Sequence, residues 1–286
     1  MKVYEYMHPA WGRVFNRISG AFHRFAPSWV EWVNTPEESD IYIVNVVGAG
    51  ERKQLDYPHP NKVIIQYCYY TAQIEQLNYV PYWKDALLTV SFHDLTAYTN
   101  EKFNFFRAPL GADPEVFKRY NPNSYRRNKV FVTGHVANDE CIDKVYEAVK
   151  QLDEYMVHTG ENFKWGFQNY RYLDYLSDND YVALLNNTQY ISCLRRIEGF
   201  ELAGVEGLFC GARPIIPDIP TYDAYRKYAY TVSLDDTLVE QLVGIMQDEP
   251  KVITFEEYNE IVRKFSWNTI IRSIFSEIER QGGWNG

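Results

Sequence analysis

The densest run of chemistry-bearing side chains lies between residues 195 and 216. It holds Arg195, Arg196, Glu198 and Gly199, then Phe200, Glu201, Leu202 and Glu206, and closes with Cys210-Gly211 and Pro214-Ile215-Ile216. The run reads as strand, loop, helix, Gly stop, strand. Glu198 and Gly199 stand just before the helix, so the unpaired N–H groups of its first turn make an anion site at residues 199–202. Arg195 and Arg196 beside it bring the charge expected for a diphosphate. Glu206 falls two turns along, where its carboxylate can accept hydrogen bonds from a ribose diol. Gly211 ends the helix at a position favouring φ > 0, and Pro214 opens the next strand.

Other candidates are scattered. Gly12 follows the first strand, where by position alone it reads as an ordinary turn residue. His93, in Ser91-Phe92-His93-Asp94, follows another strand and either acts on an acceptor hydroxyl or is a hydrogen-bonded structural histidine. Two basic segments are interleaved with aromatics. Trp11, Arg13, Phe15, Arg17, Phe22, His23, Arg24 and Trp29 make one. Lys118, Arg119, Tyr120, Tyr125, Arg126, Arg127 and Lys129 make the other. Such interleaving suits a phosphate backbone with exposed bases; solvated surface is the alternative.

The elements that must position these groups come in two halves. In the first, a short strand at residues 2–6 leads into a helix at 13–25. Apolar runs at 41–47, 63–68 and 86–91 then suit buried parallel strands, with a shorter one at 105–108. Residues 118–128 carry cations with Asn, Pro, Ser and Tyr but no acid, which is a linker composition. The second half restarts the rhythm: a strand meeting a Gly turn at 130–134, a helix capped by Asn138 or Asp139, strands at 155–158 and 189–192, a helix at 200–210, and a strand at 214–216. A final helix runs from about 268 to 279. Alternating strands and helices predict an α/β protein with parallel sheets covered on both faces. The division predicted is an abbreviated first domain at 1–117, a basic linker at 118–128, a second domain at 129–265, and a C-terminal helix at 266–286 packing back toward the first domain. Two Rossmann-like domains would then face a cleft between their strand carboxyl ends.

Composition limits the classes available. A chain of 286 residues, 46% hydrophobic and 23% charged, is an ordinary globular composition. Its mean hydropathy of -0.41, with no long apolar run, predicts no membrane span. The start MKVYEYMHPAW lacks the apolar core of a secretory signal. Four cysteines (Cys68, Cys141, Cys193, Cys210) without CxxC or Cys/His spacing are expected to be small buried hydrophobes in a reducing cytoplasm. A net charge of -9 argues against coating nucleic acid, though a local basic groove is compatible with it. No obligate protein partner is evident.

The 195–216 run resembles the donor-site signature of GT-B glycosyltransferases, in particular the retaining enzymes of family 4. Their pattern is approximately EGFG-x(4)-EA-x(2)-CG-x-PV. Glu198 and Glu206 match its two glutamates, and Gly199-Phe200, Cys210-Gly211 and Pro214-Ile215 fall in register. Ala108-Pro109-Leu110-Gly111-Ala112-Asp113-Pro114-Glu115-Val116-Phe117 is similar to the "NGVDPEVF" segment that ends the first domain in that family. Val130-Phe131-Val132-Thr133-Gly134 resembles the strand and Gly turn that open the donor domain.

The resemblance implies a retaining, metal-independent hexosyltransferase using a nucleotide sugar, UDP-glucose or a relative, with no further cofactor. Gly12, Gly134, Arg195, Arg196, Glu198, Gly199, Phe200, Glu201, Leu202 and Glu206 would bind the donor. Glu198, Arg196 and His93 would serve catalysis, and Trp11, Arg13, Arg17, Arg126 and Arg127 would meet the acceptor. Three positions depart from the pattern. Where the family carries an Arg and then a Lys aimed at the donor phosphates, this chain has His135 and Glu140, and Glu201 replaces a glycine. Asp178-Asn179-Asp180 spells the metal-binding DxD of the other major glycosyltransferase fold. It precedes an apolar run, however, and is expected to be a helix N-cap rather than a metal site. Three acceptor readings stay open: a carbohydrate or small molecule, a hydroxymethylated pyrimidine in DNA as in small viral enzymes, or none, in a sugar-nucleotide-binding protein without turnover.

Overall fold

The computed structural model describes residues 1–9, 12–67, 78–120, 126–174, 176–196, 200–249 and 251–284, with Arg13 and Ala49 described by backbone alone. The chain divides into two compact units, Met1–Leu110 with Trp267–Gly286, and Gly111–Ser266.

The first unit holds β1 (Lys2–Tyr6), α1 (Gly12–Phe25), β2 (Glu31–Trp32), β3 (Ile41–Val46), α2 (Arg52–Asp56), β4 (Lys62–Gln66), α3 (Val80–Asp85), β5 (Leu88–Ser91) and β6 (Phe105–Arg107). Its strands form one parallel sheet in the order β2-β1-β3-β4-β5-β6. All six residues of β3 are buried, as a central strand covered on both faces requires. Tyr42, Val44, Ile64, Leu55 and Trp83 form the core of one face. The polar exception is Asn45. Its Nδ2 donates to Glu5 Oε1 at 2.8 Å, and its Oδ1 accepts from the Tyr67 hydroxyl at 3.0 Å. Glu5 also accepts from Ser19 at 2.6 Å and lies 3.2 Å from His23, so this buried carboxylate is fully engaged.

The second unit holds β7 (Asn128–Gly134), α4 (Ile142–Leu152), β8 (Met156–Gly160), β9 (Tyr170–Tyr172), α5 (Asp178–Asn186), β10 (Thr188–Ser192), α6 (Leu202–Cys210), β11 (Arg213–Pro217), β12 (Tyr230–Val232), α7 (Leu238–Gln247) and α8 (Phe255–Phe265). Its parallel sheet runs β12-β11-β10-β7-β8-β9. Counted from β7, that is the doubly wound dinucleotide-binding order, which reverses between its first and fourth strands, β7 and β10. Ligands of such sheets bind outside the strand carboxyl ends at that reversal. Here those ends are Gly134 and the residues after Ser192. Helices α4 and α7 cover one face over Val130, Val132, Ile142, Val145, Tyr190 and Leu242.

The last helix, α9 (Trp267–Gly282), belongs to the first unit and packs on α1. Phe275 meets Phe22 at 6.3 Å and Trp29 edge-on at 5.5 Å. The aromatics read as companions of a basic helix face are therefore partly core: Phe22 is 1% exposed.

Several local expectations are corrected. β2, β9 and β12 are edge strands of two or three residues, too short to show a hydrophobic period. The N-cap of α5 is Ser177, whose Oγ accepts the Asp180 N–H at 3.2 Å and donates to its carboxylate at 2.6 Å. Asp178 and Asp180 are first-turn residues, where carboxylates favour the helix dipole. Neither Asn138 nor Asp139 caps α4; its N-cap is Cys141, at φ 51°. Cys141, Cys193 and Cys210 are buried and in no disulfide among the described residues, while Cys68 lies outside the described residues.

Candidate functional site

Helix α6 is apolar all round, which buries it on every side, and all nine of its residues are buried. Glu206 is the one charge among them, at 5% exposure. The Cys210 thiol, one turn further on, is pushed up to about 12 by burial and then by the Glu206 charge. Phe200, just before the helix, packs edge-on against Tyr225 at 5.7 Å. Glu198 and Gly199 lie outside the described residues, as does Trp11.

The start of α6 is closed by a side chain of the chain itself. Glu201 is its N-cap and accepts the Ala203 N–H at 3.3 Å. The same carboxylate holds Arg195 Nε at 2.9 Å. Arg195 reaches in turn across to Glu140, with Nη1 at 3.0 Å from Oε1. The other Glu140 oxygen accepts two successive backbone N–H groups, from His135 at 2.5 Å and Val136 at 2.9 Å. Two carboxylates thus share one guanidinium at the carboxyl ends of β7 and β10. Arg196 stands apart from this pair. It is exposed, and its guanidinium donates to the Asn138 and Leu234 carbonyls at 3.4 and 3.2 Å.

Gly134 and Gly160 make the turn possible. A Cβ on Gly134 would stand 2.1 Å from the Glu140 carboxylate, and one on Gly160 would stand 2.0 Å from the Gly134 carbonyl oxygen. Gly160, at φ 118°, also adopts backbone angles that side chains disfavour. Behind them His158 lies with Nε2 3.1 Å from the Gly134 carbonyl and Nδ1 3.1 Å from the Tyr170 hydroxyl. A carbonyl only accepts, so Nε2 carries the proton and Nδ1 accepts from Tyr170. Burial lowers the pKa of this ring and keeps it neutral. A histidine inside an apolar strand run was the only sequence signal for this support, and nothing in the sequence joined it to Gly134.

In the first unit Gly12 opens α1 at φ 55°. His93 follows β5, with its N–H on Ser91 Oγ at 3.2 Å. Its Nε2 is buried without a hydrogen-bond partner among the described residues. Burial, and then the Arg107 charge, hold its pKa down at about 4, so the ring is a neutral acceptor at physiological pH. Arg17 is half-buried on α1, and the Arg13 side chain is outside the described set. The described residues of the 118–128 segment, on either side of 121–125, bond to other parts of the second unit. Asn186 accepts the Tyr120 N–H at 2.9 Å and donates to the Lys118 carbonyl at 3.0 Å. Arg126 donates to the carbonyls of Leu185, Thr188 and Cys210 at 3.1, 2.6 and 2.8 Å. Three Arg126 N–H groups are thus engaged inside the protein, against the acceptor role expected of it. Arg127 is exposed, 5.5 Å from the Tyr155 ring.

Among the described residues, no three His, Cys, Asp or Glu side chains come together as a metal site, and no helix is long and apolar enough to cross a membrane.

No family model and no curated protein matches the chain in sequence. Solved structures do match in fold. Sucrose-phosphate synthase from Thermosynechococcus elongatus aligns with a TM-score of 0.67 at 10% identity, over 86% of this chain and 74% of that one. The pneumococcal O-GlcNAc transferase GtfA, solved with UDP and GlcNAc, aligns at 0.65 and 10% identity, over 84% of this chain and 57% of its own. AviGT4, a glycosyltransferase involved in avilamycin A biosynthesis, aligns at 0.65 and 9% identity, over 99% and 98% of the two chains. The fold is thus the GT-B fold, two Rossmann-like α/β units in one chain.

Proposed function

We propose that the protein is a glycosyltransferase that moves a hexosyl group from a nucleotide sugar, UDP-glucose or a relative, to a hydroxyl acceptor with retention at the anomeric carbon. The observation that carries the reading is the pairing of the Glu198/Glu206 signature with its place. Glu206 stands buried on the helix that follows the sheet reversal of the second unit. Glu206 holds the ribose diol, and Glu198 with Gly199 meets the donor sugar and diphosphate. Arg195 stabilises the departing diphosphate, the charge that develops in the transition state. Arg196 is the weaker candidate for that task, since its guanidinium is bonded to backbone carbonyls. On the acceptor side, the neutral His93 ring is the group able to take a hydroxyl proton. The donor's charge is met by backbone and guanidinium, so the reading includes metal independence.

A carbohydrate or small molecule is the favoured acceptor. The alternative, a hydroxymethylated base in DNA, loses one of its expected phosphate contacts in Arg126.

The test is incubation with a panel of UDP-sugars and, separately, with sugar acceptors, hydroxymethylated DNA and plain DNA, with and without EDTA, followed by mass spectrometry. A hexosyl gain on a sugar acceptor with EDTA present supports the whole reading. A gain on a modified base moves the acceptor to DNA. Donor binding without transfer to any acceptor leaves a binding protein, and loss of transfer restored only by Mn²⁺ or Mg²⁺ removes metal independence.

A further inference from the structure

In the turn after β7, the N–H groups of His135 and Val136 converge on one point and Arg195 faces it, a combination that recognises phosphate or another oxyanion. It lies at the sheet reversal, where Rossmann-type units place their ligands. The point is filled by the protein's own Glu140. One carboxylate oxygen takes both N–H groups, at 2.5 and 2.9 Å, and the other takes Arg195 at 3.0 Å. Gly134 leaves the space for it, since a Cβ there would stand 2.1 Å from the carboxylate.

We propose that Glu140 is an internal occupant of this oxyanion site and must swing out before a ligand's phosphate enters. The proposal rests on the donor-site reading above and adds a control on it. Charge argues for displacement rather than shared occupancy. Arg195 already serves Glu201 at 2.9 Å, so a diphosphate arriving with Glu140 in place would add charge to two carboxylates on one guanidinium. Departure of Glu140 releases two N–H donors and one arm of Arg195 together. Accessibility also distinguishes this carboxylate from a purely structural one. In the first unit Glu51 likewise accepts successive N–H groups, of Val47 and Gly48 at 3.4 and 2.9 Å, but it is 0% exposed. The Glu140 side chain is 12% exposed and borders solvent.

Calorimetric titration of UDP and of inorganic pyrophosphate into the full chain and into Glu140→Gln and Glu140→Ala tests this. Removing the competing charge should tighten both ligands by about tenfold or more, within the range of one charged hydrogen-bond set. If Glu140→Ala melts far below the parent, the isosteric Glu140→Gln decides. Unchanged or weakened UDP and pyrophosphate binding in the variants overturns the proposal and makes Glu140 a positioning residue for Arg195, with the nucleotide reading intact. Tightened pyrophosphate with no UDP binding by any form supports the internal occupant and removes the nucleotide reading. No binding of either ligand by any form overturns both.

Discussion

Glu206 is the one charged side chain in a helix otherwise made of apolar residues and glycine, and a buried carboxylate is retained at a cost that hydrogen bonds to it offset. With a ribose diol as its ligand, Glu206→Ala should weaken UDP binding by about 1–3 kcal/mol, the contribution of hydrogen bonds to a charged acceptor. Glu206→Gln, which keeps the shape, should lose less. Calorimetry giving wild-type affinity for both variants would take Glu206 out of the site. His93 makes a separate prediction through pH. Its folded value of about 4 lies below the ordinary 6.5, so between those values the unfolded chain binds a proton that the folded one refuses. That stability is present above about pH 6.5 and is lost as the pH falls toward 4, by up to about 3 kcal/mol. Melting temperatures of the parent should therefore fall more steeply over this window than those of His93→Gln. His158, shifted in the same direction, is common to both proteins. Parallel curves would mean that His93 protonates freely in the folded state.

At the scale of elements, Arg126 ties two helix ends together. It bonds Leu185 in the last turn of α5, Thr188 just beyond it, and Cys210 at the end of α6, where orphan carbonyls and the dipole both favour a cation. Burial holds its pKa down at about 10, so it remains charged at neutral pH. Arg126→Ala should cost about 2–4 kcal/mol in urea denaturation, because buried carbonyls lose their donor. Arg127→Ala, at an exposed position, should stay within about 0.5 kcal/mol. A loss of DNA binding by Arg126→Ala without loss of stability would restore its acceptor role. The basic segment was legible as a composition, but its purpose was not. The carbonyls that Arg126 serves lie 59 to 84 residues away in sequence.

At the scale of the molecule, the first unit is assembled from two separate stretches, and α9 completes it. Ile270, Ile271, Ile274, Phe275 and Ile278 are all buried on that helix. Burial of such side chains contributes roughly 1.5–3 kcal/mol each, a sum comparable with the whole stability of a domain. The second unit is one continuous stretch with its own core. Residues 111–266 expressed alone should give dispersed amide spectra and protease resistance, whereas residues 1–110 alone should not. A folded 1–110 fragment would show that α9 is dispensable.

By itself the sequence determined the α/β class, the central strands and the helix stop at Gly211, because continuous apolar runs and glycine punctuation are local signals. The Glu198/Glu206 spacing was equally legible, since both residues stand within one strand–helix–strand passage. Tertiary structure alone decided which strands neighbour which, and so placed the sheet reversal between Gly134 and Arg195, residues 61 apart in number. It also decided that Glu201 caps α6 and that Glu140 closes on the turn behind it. Glu140 read only as a missing lysine in sequence. What a carboxylate does depends on the N–H groups and the guanidinium that folding brings to it, and those arrive from strands that no local pattern connects.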